Sequence, residues 1–102
     1  MSESTGDWVS RKDDQGILWL NLDKRNTDTN VLSIAVLEEL GKLLDEIVKK
    51  PPRAVIFRSA KKSGFIAGAD VHEFLEVSNT QEALIMIKRG QALFSRIEAL
   101  PC

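Results

Sequence analysis

The sequence predicts an α/β fold in which a β-hairpin is followed by βα crossovers. Three observations carry this reading. Two strand-like stretches flank the polar tetrapeptide Asp13-Asp14-Gln15-Gly16, whose glycine can take a positive φ. One apolar stripe at three- and four-residue steps runs from Val36 to Val48, the period of a helix with a single buried face. The short apolar run Ala54-Val55-Ile56-Phe57 comes next, and strand, helix, strand in that order implies a parallel crossover.

Residues 1–7 are polar and acidic, and disorder is expected there. The strands of the hairpin span Trp8 to Lys12 and Ile17 to Leu22. The second is apolar on both alternating faces except at Asn21, as suits a strand covered on both sides. A polar loop from Asp23 to Asn30 leads to Val31-Leu32-Ser33, where Ser33 is a good N-cap and Leu32 and Leu37 occupy the positions of a hydrophobic staple. The helix should run for about four turns on Val36, Leu37, Leu40, Leu43, Leu44, Ile47 and Val48. Glu38/Lys42 and Glu46/Lys50 would add i,i+4 pairs, and Pro51-Pro52 should stop it. After the strand at Ala54 to Phe57, Asp70-Val71-His72-Glu73 has the form of a capping box, predicting a short helix from Asp70. A second long helix should follow Ser78-Asn79-Thr80, with Ala83, Met86, Ile87, Gly90, Leu93, Phe94, Ile97 and Leu100 on one face. Gly90 costs about 1 kcal/mol relative to alanine in a helix, so a close packing contact is expected there.

At 102 residues the chain is at most one domain. Its 14 basic and 15 acidic residues are dispersed, leaving a net charge of −1, and no long-range field would steer nucleic acid or an anionic membrane toward it. The single cysteine, Cys102, has no intrachain partner, so neither a disulfide framework nor a cysteine-based zinc site can form. A reducing cytoplasm is the expected compartment. No apolar run reaches the ~18 residues of a membrane span, and the polar N-terminus has no apolar signal region. The lone histidine, His72, has no metal partners apparent in the sequence, and no metal is expected.

Phe65 to Asp70 carries the most chemical information. Ala67, Gly68 and Ala69 are small residues between a strand loop and a capped helix, which lets a ligand approach the backbone. Unpaired N–H groups at a helix start suit an anion or oxyanion. The same pattern also fits a tight turn whose small residues pack against a neighbouring helix.

The string Gly64-Phe65-Ile66-Ala67-Gly68-Ala69-Asp70-Val71-His72-Glu73-Phe74 closely resembles the signature of the crotonase (enoyl-CoA hydratase/isomerase) superfamily. Asn30-Val31-Leu32-Ser33 resembles the family's Asn-Ala-Leu-Ser element, and Arg53-Ala54-Val55-Ile56-Phe57 the strand between the two. The likeness extends from Ile17 onward and looks most like the hydratase portion of the multifunctional fatty-acid oxidation proteins, the α subunits of the fatty-acid oxidation complex. It implies that residues 1–102 are a partial domain, the N-terminal half of a crotonase-like (ClpP/crotonase) fold.

The resemblance further implies that the Ala69 backbone N–H is one of two oxyanion donors for an acyl-CoA thioester. Val31, Ala67, Gly68, Asp70, Val71 and His72 would line the coenzyme A site through backbone groups. Lys24, Arg25, Lys61 and Lys62 are candidates for its phosphates and equally read as solvated loop charges. Where many relatives carry a lysine three residues before the motif asparagine, this chain has Thr27.

The implied reaction is hydration of 2-enoyl-CoA to 3-hydroxyacyl-CoA in fatty-acid β-oxidation, which needs no cofactor beyond the coenzyme A of the substrate. Its catalytic glutamates would lie downstream of Leu100-Pro101-Cys102, so the 102 residues alone are expected to be inactive. The carboxylate neighbours Glu38/Glu39, Asp45/Glu46 and Glu73/Glu76 read as solvated helix faces. A multifunctional parent would add an NAD-dependent 3-hydroxyacyl-CoA dehydrogenase. Expected partners are acyl-CoA, further copies in a homo-oligomer, or a thiolase subunit. Rival readings keep the fold with an isomerase or thioester-hydrolase reaction, or make the chain a non-catalytic binding or assembly module. The near-neutral charge and 6% aromatic content argue against nucleic acid.

Overall fold

A computed structural model describes residues 2–3, 6–66, 68, 73 and 79–102. The elements are β1 (Ser2–Glu3), β2 (Trp8–Lys12), β3 (Ile17–Leu22), α1 (Ile34–Lys49), β4 (Ala54–Ser59) and α2 (Thr80–Glu98). The strands form one sheet in the order β1-β2-β3-β4, antiparallel except for the parallel pair β3/β4. The predicted short helix from Asp70 lies outside the described residues except at Glu73.

The hairpin is locked by one carboxylate. Asp13 Oδ1 accepts from the N–H groups of Gln15 and Ile17 at 2.9 and 3.0 Å, while Oδ2 accepts from Trp19 Nε1 at 2.9 Å. These hydrogen bonds, with that of the Trp19 indole the largest influence, hold the Asp13 carboxyl below its ordinary value against a smaller opposing effect of desolvation. Gly16 completes the turn at φ +82°, a conformation L side chains rarely adopt. Its carbonyl accepts from Arg53 N–H at 2.9 Å, which sets the start of β4 beside the start of β3.

The core forms where α1 crosses one face of the sheet. Leu20 and Leu22 of β3 meet Val36, Leu40, Leu44 and Ile47 of α1, and all six are buried. Burying each such side chain contributes about 1.5–3 kcal/mol, so this contact is what holds the crossover together. Trp8 is 3% exposed, stands edge-on to Phe57 with ring centroids 6.2 Å apart, and donates its indole N–H to Val36 O at 3.0 Å. Ser33 caps α1 by accepting from Val36 N–H at 3.1 Å, as its position predicts.

Several expectations are corrected. Strand β3 is not covered equally on both faces: Leu20 and Leu22 are buried, whereas Trp19 on the other face is half-buried between the Arg11 and Arg58 guanidiniums, 6.0 and 5.6 Å from its ring. Residues 2–3, 6 and 7 are the described part of residues 1–7. Ser2–Glu3 pairs with Ser10 and Arg11, and Asp7 is buried because its N–H donates to Glu39 Oε1 at 2.8 Å and its Oδ1 accepts from Arg25 N–H at 2.9 Å. Glu39 is therefore no freely solvated carboxylate. Among the described residues, the ion pair on α1 is Lys49–Glu46 at 3.6 Å rather than Glu38/Lys42 or Glu46/Lys50.

Helix α2 begins at the N-cap Asn79, whose side chain accepts from Glu82 N–H at 2.9 Å. It rests on α1 near Leu37, Gly41, Gly90 and Leu93, with an Arg96–Asp45 ion pair of 2.7 Å beside the contact. No residue of α2 is buried, and Leu84, Ile85, Ile87 and Phe94 are exposed. Gly90 is not forced by crowding: a methyl group there would stand 3.9 Å from Leu37 Cδ1, ordinary van der Waals contact.

Candidate functional site at the β4 to α1 junction

The parallel pairing of β3 and β4 brings the loops after both strands to one end of the sheet. Asn30 joins them. It is 1% exposed, and its Nδ2 stands 2.9 Å from Leu22 O, 3.0 Å from Ser59 Oγ and 3.1 Å from Phe65 O, so two N–H bonds are shared among three acceptors. Its Oδ1 accepts from Lys24 N–H at 2.9 Å. One buried amide thus ties the ends of β3 and β4 to the loop that follows each, and a polar group this deep persists because it is hydrogen-bonded on both sides.

Further bonds close the two loops on each other. Lys61 Nζ donates to Asp23 Oδ1 at 2.8 Å and Thr27 O at 2.7 Å, and Ser63 Oγ donates to Asp28 O at 2.8 Å. Thr27 Oγ1 lies 3.2 Å from Lys24 O and 2.8 Å from Thr29 O, inside its own loop.

Past Asn30 the chain runs beside the glycine segment. Leu32 N–H donates to Gly68 O at 2.7 Å, and Ile34 N–H donates to Glu73 Oε1 at 2.7 Å. Gly68 has φ +129° and Gly64 has φ +135°. Both are conformations that glycine adopts without steric cost. Open space surrounds the position a Cβ would take at Gly68, so the glycine serves backbone shape rather than close packing.

Of the residues proposed for coenzyme A, Val31 is half-buried one position before Leu32, and Gly68 is half-buried opposite it. The structure brings these two together. Ala67, Ala69, Asp70, Val71 and His72 lie outside the described residues. Among the candidate phosphate-binding cations, Lys61 is committed to the loop closure, its side chain 11% exposed, and Arg25 Nε donates to Gly6 O at 3.2 Å. Lys62 is exposed and Lys24 half-buried.

Sequence reasoning missed Asn30 as the hub and read Glu73 as a solvated helix residue. The available signal for Asn30 was a side chain with both donor and acceptor capacity directly before a capped helix. For Glu73 no local signal exists, since its partner is 39 residues away.

Beside this junction a largely apolar cleft of about 550 Å³ lies between α1 and α2, lined by Leu32, Ile34, Leu37, Met86, Leu93 and Phe94 among others, with Glu38, Glu73, Arg89 and Arg96 also in its lining. Such a lining suits hydrocarbon rather than a charged group. Among the described residues no three His, Cys, Asp or Glu side chains are placed to hold a metal ion, and no helix is long and apolar enough to cross a membrane.

A hairpin, a parallel crossover and a glycine strapped beside the entry to α1 define the class: this is the crotonase fold of the enoyl-CoA hydratases. The crystal structure of enoyl-CoA hydratase from Mycobacterium smegmatis superposes with a TM-score of 0.85 at 25% identity, over 94% of this chain and 37% of that one. The fatty acid oxidation complex subunit alpha of Aliivibrio fischeri is 37% identical over 101 residues, which is 97% of this chain and 15% of that protein. A probable enoyl-CoA hydratase of Bacillus subtilis is 34% identical over 76 residues, 74% of this chain and 30% of that protein. No family profile matches the chain. The chain shares the fold of the enoyl-CoA hydratases and is homologous to part of these longer proteins, spanning well under half the length of each.

Proposed function

We propose that these residues form the acyl-CoA-binding part of an enoyl-CoA hydratase, which adds water reversibly across the 2,3-double bond of an enoyl-CoA in fatty-acid β-oxidation. The supporting observation is the Gly68 carbonyl, held on Leu32 N–H at 2.7 Å by a backbone with φ +129°. The residue after it, Ala69, is the donor that the resemblance to the crotonase signature proposes for the thioester oxygen. Such a donor acts where negative charge develops as the thioester becomes an enolate, and removing one typically costs about 3–4 kcal/mol of transition-state stabilisation.

On this reading Val31, Ala67, Gly68, Asp70, Val71 and His72 present backbone to coenzyme A. The carboxyls that activate water and deliver the α-proton belong to a part of the protein outside these residues. No two of the six glycines stand two positions apart, so these residues hold no Gly-x-Gly dinucleotide turn, and no NAD step belongs to them. An NAD-dependent 3-hydroxyacyl-CoA dehydrogenase portion, a homo-oligomeric or thiolase-containing assembly and a cytoplasmic location are proposed for the whole protein. The likeness to the Aliivibrio fischeri α subunit supports these assignments.

The test uses crotonyl-CoA labelled with carbon-13 at its carbonyl. Bound to the chain, its C=O stretch should fall below the value in water, Gly68→Ala should reverse the fall, and no turnover should occur. A carbonyl band unchanged on binding refutes the proposal.

A further inference from the structure

Helix α1 covers one face of the sheet. Strand alternation sends Val9 and Arg11 of β2, Ile17 and Trp19 of β3, and Ile56 and Arg58 of β4 to the other. The four apolar residues of this outer face are half-buried, and none of them packs against the core. Trp19 stands at its centre. The Arg11 and Arg58 guanidiniums flank its ring at 6.0 and 5.6 Å from the centroid, on strands that are two spacings, about 10 Å, apart. Among the described residues neither guanidinium makes a hydrogen bond or an ion pair. The Asp13 carboxylate at the indole edge has both oxygens engaged, one by the N–H groups of Gln15 and Ile17 and the other by the indole N–H.

An apolar patch framed by two cations without anions complements a surface that brings apolar side chains and carboxylates together. Trp and Arg are also the residues that most often carry the binding energy of protein interfaces. A second copy presenting the same face does not fit, because a two-fold interface uses one patch twice and would set four guanidiniums against one another. We propose that the outer face of the sheet docks an acidic amphipathic segment of a partner protein, with apolar side chains on Ile17, Trp19 and Ile56 and carboxylates on Arg11 and Arg58. The face lies across the sheet from α1, and the proposal is independent of the acyl-CoA reading.

The probe is a synthetic amphipathic helix of about 15 residues, leucine along one face and glutamate beside it, compared with the same peptide carrying glutamine for glutamate. Binding to the nitrogen-15-labelled chain is followed by NMR. The glutamate peptide should move the Trp19 indole N–H and the Arg11 and Arg58 Nε–H signals while the buried Trp8 indole stays in place. Exposed ion pairs are individually weak, so Arg11→Gln with Arg58→Gln should lower affinity about three- to tenfold, and the glutamine peptide should lose about as much. Raising salt from about 50 to 200 mM should weaken the glutamate peptide alone. An unmoved Trp8 signal in the double variant shows that its fold is kept. Equal binding of the two peptides, or undiminished binding by the double variant, overturns the proposal. So does an absence of binding, tighter binding of a single-stranded oligonucleotide, or movement of the same signals when the chain alone is concentrated, which would assign the face to nucleic acid or to a second copy.

Discussion

Replacing Asn30 by alanine tests whether one buried amide holds the two loops together. Not every partner is stranded by the change. Leu22 O still accepts from Ala60 N–H at 3.0 Å, and Ser59 Oγ still accepts from Lys61 N–H at 2.9 Å. Phe65 O and Lys24 N–H lose the bonds that Asn30 gives them, both in partly buried surroundings. An orphaned buried group costs about 1–3 kcal/mol, so two partly buried ones predict a loss of about 2–4 kcal/mol. Urea denaturation followed by tryptophan fluorescence measures this, and hydrogen exchange at the Leu32 amide reports whether the neighbouring strap loosens as well.

Asn30→Asp supplies a control of nearly equal shape. It keeps an acceptor for Lys24 N–H but turns a second carboxylate oxygen toward the Leu22 and Phe65 carbonyls, which disfavours the charged form. Its folded-state pKa should rise above the unfolded value of about 3.9. The variant's deficit is then smallest below that pH and grows as pH rises through the folded pKa. A loss under about 0.5 kcal/mol for Asn30→Ala, together with a pH-independent deficit for Asn30→Asp, would refute the hub.

Two further outcomes test the fold. Gly90→Ala should stabilise the chain by about 0.8–1 kcal/mol, because the new methyl meets Leu37 Cδ1 at 3.9 Å without clash; a lower melting temperature would contradict this. Asp13, lowered below 3.8 chiefly by the Trp19 indole, stabilises the folded state above its unfolded pKa, an effect lost as pH falls through the folded value. Asp13→Asn should therefore flatten the acid limb of the stability profile, as followed by thermal melts from neutral pH downward.

The frame of the molecule was legible because its signals are local. Ser33, the stripe from Val36 to Ile47 and the turn at Asp13 to Gly16 each act within a few residues, and all three stand where the sequence places them. The site was less legible. Asn30 reaches Phe65 across 35 residues and Glu73 reaches Ile34 across 39, distances at which no periodicity reports a contact. The resemblance to the crotonases located the segment, while the bonds that hold it came only from coordinates. Burial is a related case: apolar residues at Ile17, Trp19 and along α2 show where cover is wanted, not whether it is present.

Among the described residues strand β4 ends the sheet, hydrogen-bonded to β3 along one side. Every second backbone donor and acceptor along its outer rail faces away from that neighbour, making a ready template for another extended segment. A sheet finished this way grows by recruitment, so concentrated solutions of the isolated chain should add strands from one another at this margin. Lysine placed on the outer rail would keep them apart.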